Sequence, residues 1–300
     1  MTDSKHASIF GPMRLPFLVL NPACVALGAA TAYYSGHSLN SWHLILAFVG
    51  AICAHISVNA LNEYYDFKSG LDFKTQRTPF SGGSGTLPQN PEMTRLALLT
   101  GLLCLVIAAV IGIYFLWAIG FGLLPLGLTG LLLLVAYTNW LTKNPCSCLI
   151  APGLGFGPCM VMGTHFALTG SYSWTAFTAS LVPFCLVSDL LLLNQFPDVE
   201  ADQAIGRRHL PIVIGRQGSV YIYTTLLVGA YAAVVMGYLC GLLPFQAFIA
   251  LISGFLALPV IRGVSRYAGN IPKLLPYMGM NVILNIAAPI LLAIGLFLGS

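Results

Sequence analysis

Asn62-Glu63-Tyr64-Tyr65-Asp66, running on to Asp72, and Asn194-Gln195-Phe196-Pro197-Asp198-Val199-Glu200-Ala201-Asp202 are the two polar stretches on which the reading of this chain turns. Each begins with Asn, places Asp four residues later and follows a long apolar run. Carboxylates beside hydrocarbon are costly and mark functional positions by default. On a helix, Asn62 and Asp66 share one face, and Asn194, Asp198 and Asp202 form a single stripe. Gly70 is expected to end the first helix, so that Asp72 folds back from a loop. Pro197 is expected to kink the second helix and free carbonyl oxygens. Asn62, Asp66, Asp72, Asn194, Asp198 and Asp202 would then offer oxygen ligands of the kind that selects Mg²⁺ or Mn²⁺ over zinc or copper. Mg²⁺ binds through a few carboxylates plus substrate phosphates, so two facing clusters suit two ions and a diphosphate. The plainer alternative is ordinary interfacial charge at helix ends.

Outward from these stretches the chain is membrane. Hydrophobic residues make up 57% of the 300 and charged residues 7%, against about 25% charged in soluble domains. Spans of about 20 apolar residues cross a bilayer, and nine are expected, at 17–34, 43–61, 96–117, 119–138, 149–169, 174–196, 220–239, 244–261 and 277–298. The expected fold is therefore all-α: a single domain over 1–300, a polytopic bundle of nine transmembrane helices with cytoplasmic cap loops. Met1 to Pro16 has no apolar core ahead of a small-residue cleavage site, so the first span is expected to be retained. With nine spans, all 13 basic residues, Lys5 and Arg14 among them, fall on the N-terminal side. The positive-inside rule places that side, with both acidic motifs, in the cytoplasm and the C-terminus opposite.

The longest loops, about 62–95 and 197–219, each carry one motif, and long loops in compact domains are usually functional. Their basic residues can clamp diphosphate oxygens and stabilise a leaving group. Lys68, Arg77, Lys143, Arg207 and Arg208 are the candidates, while Arg95, Arg262 and Arg266 read as surface anchors. Thr78–Gly85 is Gly/Ser-rich, either an anion-binding nest or a lid. Asp189 lies deep in the sixth span, a functional candidate by default, or else a helix contact through Ser188 or backbone. His55, one to two turns before Asn62, either lines a pocket or is a satisfied interhelical group. The eight Cys do not form a disulfide framework: most lie within spans, and Cys146-Ser147-Cys148 has no second Cys/His pair nearby. No nucleic-acid partner is expected, and oligomeric state is left open. A secondary transporter also uses broken helices and buried carboxylates, but here the acids gather at one face, with only Asp189 deep.

At these residues the chain resembles the UbiA superfamily of intramembrane prenyltransferases, over most of its length and with both motifs in order. The spacing Asp66 to Asp72 is similar to the branch that prenylates 1,4-dihydroxy-2-naphthoate in menaquinone synthesis. So are Tyr137-Thr138 with Lys143, and Phe156-Gly157-Pro158-Cys159-Met160-Val161-Met162-Gly163-Thr164. Glu63 stands where the family usually has Asp. The resemblance implies Mg²⁺-dependent transfer from a polyprenyl diphosphate to an aromatic acceptor inside the bundle. Asp66, Asp198, Lys143 and Asp189 are then the catalytic candidates and Tyr137 a substrate-binding one. Other phenols such as 4-hydroxybenzoate, and lipid precursors, are acceptors elsewhere in the superfamily.

Overall fold

Apolar runs with no internal charge are satisfied in hydrocarbon only as helices, where every backbone bond closes within the segment. The computed structural model, which describes residues 10–300, bears this out; Lys5 lies outside the described residues. Among the described residues nine apolar helices follow in order: α1 (Leu15–Tyr34), α2 (Ser41–Lys68), α3 (Pro91–Ala118), α4 (Phe121–Ala136), α5 (Pro145–Thr169), α6 (Trp174–Asn194), α7 (Gly215–Leu239), α8 (Phe245–Tyr267) and α9 (Ile271–Leu298). Eight are long enough to cross a membrane. The expected span 119–138 is the exception. Gly120, at φ 134°, turns the chain sharply in a conformation open to glycine, and α4 then rises only roughly 24 Å against about 30 Å of hydrocarbon.

Large aromatics gather at the helix ends remote from the acidic motifs. Trp42, Trp117, Phe121, Trp174 and Phe245 are all exposed there, as in the aromatic belt of a membrane protein. The core lies between α1, α6, α7 and α9, around Leu27, Leu186, Tyr223 and Leu284. Asp189 belongs to it. Its Oδ1 accepts from Asn281 Nδ2 at 3.2 Å, and Asn281 Oδ1 accepts from the Tyr223 hydroxyl at 2.9 Å. The carboxyl thus joins α6, α7 and α9.

Helix α5 carries Pro152 and Pro158 and widens into π-helical turns over Gly155–Met162. A proline removes an N–H from the ladder, and such widened turns are frequent at functional sites. Gly153 and Gly157 let α5 approach α6 backbone to backbone: a Cβ on Gly157 would stand 2.5 Å from the Ser180 carbonyl. Small residues four apart permit this contact in membranes. Gly157→Val is therefore expected to cost about 1–3 kcal/mol of overpacking, read as a lowered unfolding temperature in detergent. An unchanged temperature would show that α5 can move away from α6.

Candidate active site

Gly70 ends the first-motif helix in the left-handed region, at φ 77°. The short turn Leu71–Phe73 then brings Asp72 back toward Asp66. In the second motif, Pro197 produces a break rather than a kink. Helix α6 stops at Asn194, the chain turns, and a short helix over Val199–Gln203 begins with Asp198 at its cap. Arg216 fixes this turn, donating to the Phe196 carbonyl at 2.8 Å and to Glu200.

Asn62, Asp66, Asp72, Asn194, Asp198 and Asp202 all line one end of a single cavity of about 560 Å³, and Tyr137 and Arg207 stand beside them. From there the cavity runs into the bundle between α2, α3, α4 and α5, past Ala47, Phe115, Leu124 and Ala167. Ala47 lies about 28 Å along α2 from Asp66.

Three acceptor oxygens at the polar end, Asp72 Oδ2, Asn194 Oδ1 and Asp198 Oδ1, are sealed from solvent without a hydrogen-bond donor among the described residues. Buried acceptors left bare are costly, and these come from both motifs. A divalent cation with oxygen preference fits them. No three His, Cys, Asp or Glu side chains among the described residues form a complete metal cluster. Amide oxygens and phosphates would have to complete the shell, as is usual for Mg²⁺.

Asp72 and Asp198 are each pushed up to about 7, chiefly by burial. Glu63 and Asp66 add to the rise at Asp72, and Asp202 at Asp198, where the Gly82 N–H partly offsets it. Without a cation both carboxyls hold protons below about pH 7, and a metal must displace them. Mg²⁺ affinity is expected to rise with pH through neutrality and to fall on the acid side by on the order of tenfold per unit for each proton displaced. Isothermal titration in buffers of different ionisation enthalpy measures this. Affinity independent of pH, with no proton release, would contradict it.

Arg207 bridges the motifs: Nη2 pairs with Asp66, and Nη1 donates to Asp202 Oδ1 at 2.9 Å. Burial works against its charge, but Asp66 and Asp202 outweigh burial and hold it protonated. His209 Nε2 lies 2.8 Å from Asp202 Oδ2. Glu63, fully buried, accepts from Arg14 Nε at 2.7 Å and from the Ser84 N–H and hydroxyl at 2.7 and 2.8 Å. The Gly82 N–H donates to Asp198 Oδ2 at 3.2 Å. The loop Ser81–Gly85 is therefore a strap tied to both motifs, its amides turned on the protein's own carboxylates.

Lys68, Arg77, Lys143 and Arg208 are exposed and off the cavity wall, and Asp189 sits behind it. Arg14, Glu63 and His209 carried no site role in the sequence reading. Glu63 alone left a signal there, as the departure from the family's usual Asp.

The model of the UbiA prenyltransferase family matches residues 20–297. The chain belongs to that family. This UbiA-family chain is 28% identical over 183 residues to 1,4-dihydroxy-2-naphthoate octaprenyltransferase of Bacillus subtilis (strain 168), a match covering 60% of this chain and 57% of that enzyme. It is 23% identical over 268 residues to 2-carboxy-1,4-naphthoquinone phytyltransferase of Synechocystis sp., covering 85% and 81%. Among solved structures, a UbiA homolog from Archaeoglobus fulgidus bound to GPP and Mg²⁺ superposes with a TM-score of 0.65 at 15% identity, covering 95% of this chain and 99% of that one. At that identity the likeness is one of fold.

Proposed function

We propose that this chain transfers a polyprenyl group from a polyprenyl diphosphate to an aromatic acceptor, with 1,4-dihydroxy-2-naphthoate the acceptor class. The observation that carries the reading is the junction of the two acidic motifs at the mouth of one apolar cavity reaching into the membrane. A diphosphate headgroup matches the polar end and an isoprenoid tail the rest. The naphthoate assignment is supported by the spacing of the first motif and by the names of the Bacillus and Synechocystis relatives.

Asn62, Asp66, Asp72, Asn194, Asp198 and Asp202 would hold two Mg²⁺ ions, with Mn²⁺ a possible substitute. Bound there, the metal supplies Lewis-acid neutralisation of the diphosphate. Arg207 is placed to turn its planar fork onto phosphate oxygens as the allylic C–O bond weakens. The strap from Ser81 to Gly85 closes the polar end, and the apolar walls keep water from the developing cation. Charge-bearing side chains at one end only suit a capped reaction chamber rather than alternating access.

The test is purified protein in detergent with Mg²⁺, farnesyl or geranylgeranyl diphosphate, and acceptors including 1,4-dihydroxy-2-naphthoate and 4-hydroxybenzoate. Products are read by mass spectrometry. A prenylated naphthalene product, abolished by Asp66→Ala and by Asp198→Ala, is expected. A product from another acceptor alone would overturn the naphthoate assignment, and no diphosphate release with any acceptor would overturn prenyl transfer.

A further inference from the structure

We propose that His55 is a catalytic residue that binds the acceptor's aromatic hydroxyl and takes its proton, an inference that rests on the prenyl-transfer reading. His55 lies on α2, seven residues before Asn62 and therefore about 10 Å from it along the helix. It is 7% exposed, and it lines the cavity just beyond the acidic end. Its Nδ1 is 3.3 Å from Asn21 Oδ1 on α1. In the Nδ1–H tautomer, whose proton Asn21 Oδ1 accepts, Nε2 carries the lone pair. Nε2 has no partner among the described residues. The ring is further pinned by Phe156 of the widened α5 segment, edge to face at 4.9 Å between centroids.

His165 provides the contrast. Its Nδ1 meets Thr31 at 3.0 Å, it is 1% exposed, and it is off the cavity wall. That is what an interhelical histidine looks like. His55 makes the same kind of contact with one nitrogen and offers the other to the chamber. Phe17, Leu20, Pro152 and Phe156 give this side of the cavity apolar and aromatic surface from α1 and α5. Gly112 of α3, Gly127 of α4 and Gly155 and Gly163 of α5 also line the cavity, and an added Cβ at each would meet nothing within 4 Å. An aromatic acceptor therefore fits beside His55, against Phe17 and Phe156, and the isoprenoid chain the apolar length past Ala47 and Phe115.

The acceptor class is a hydroxyarene. Its O–H donates to Nε2. As a ring π pair bonds to the allylic carbon, the O–H pair moves into the C–O bond and the proton passes to Nε2. The allylic C–O pair leaves with the diphosphate. The ring then loses the hydrogen at the alkylated carbon as a proton to the departing diphosphate, or its carboxylate as CO₂, the freed electron pair returns to the ring, and the oxygen recovers the proton from Nε2.

The test uses the full chain in detergent at saturating prenyl diphosphate. His55→Asn retains an amide where Nδ1 was and removes Nε2; His55→Gln places a non-basic amide near Nε2. Both are expected to lower kcat/KM for the acceptor by about 10²-fold or more, with donor affinity and acceptor-free donor hydrolysis within about twofold of wild type. The acceptor's O-methyl ether is expected to be a poor substrate for wild type and no poorer for His55→Asn, because the two changes remove one interaction. Donor affinity reports folding, so His55→Gln decides the matter where His55→Asn does not fold. An acceptor kcat/KM within about threefold of wild type in a folded variant would overturn the inference. A wild-type protein that prenylates no hydroxyarene would instead overturn the functional reading, and the inference with it.

Discussion

Arg207→Ala is expected to lower turnover by about 10²–10³-fold while tightening Mg²⁺ binding in the absence of diphosphate. The opposite signs follow from one geometry. The guanidinium lies between the motifs, paired with Asp66 on one side and Asp202 on the other. In the metal-free chain it is the cation that both motifs share, while Arg14 pairs with Glu63 and reaches Asn62 of the first motif. Removing one partner of a buried pair leaves the other charges uncompensated, a loss of about 3–5 kcal/mol. The variant should therefore unfold at lower temperature without metal and recover when Mg²⁺ is added. With substrate bound the same fork would bear on the diphosphate, so its loss raises the barrier. Arg207→Lys should rescue little, since a single ammonium cannot span both carboxylates in a fixed plane. Wild-type Mg²⁺ affinity together with near wild-type turnover in Arg207→Ala would contradict this account.

Glu63→Ala is expected to cost about 3 kcal/mol, read as a fall in unfolding temperature, and to free the strap. Glu63 is fully buried, yet it accepts from Arg14 and twice from Ser84. Arg14 keeps part of its side chain in solvent and can turn to water, which puts the cost at the lower end of the range. Hydrogen exchange over Ser81–Gly85 should accelerate markedly. Glu63→Asp, the residue usual in the family, is one methylene shorter and should loosen the strap at smaller cost. Mg²⁺ affinity should change far less than in Asp66→Ala, because Glu63 holds the strap rather than facing the cavity. Equal losses of metal affinity in the two variants would make Glu63 a ligand instead.

The apolar runs were legible because a chain with so few charges has little choice but to span a membrane, and the two Asn/Asp stretches marked the polar end of the cavity. What sequence spacing could not convey was direction. Lys68, Arg77, Lys143 and Arg208 are close to the motifs in the chain, but they are exposed and off the cavity wall, Lys68 over the Tyr64 ring and Arg77 against the strap at Gly82 and Gly85. Arg207, next to Arg208, turns inward because both motifs offer it carboxylates. Arg14 and Glu63 meet across 49 residues, and no local pattern announces such a contact. Asp189 shares α6 with Asn194, but Asn281 draws it to the far face. The short α4 follows from one turn at Gly120, and the break at Pro197 from a turn that Arg216 stabilises by a long-range contact.

We propose that both acidic motifs hold one metal–diphosphate headgroup. Titrating geranylgeranyl diphosphate into the purified protein, with and without Mg²⁺, in wild type, Asp66→Ala and Asp198→Ala, tests it most directly. Binding that requires Mg²⁺ and disappears in either variant is the predicted result. Equally tight binding without metal, or wild-type affinity in either variant, would contradict it.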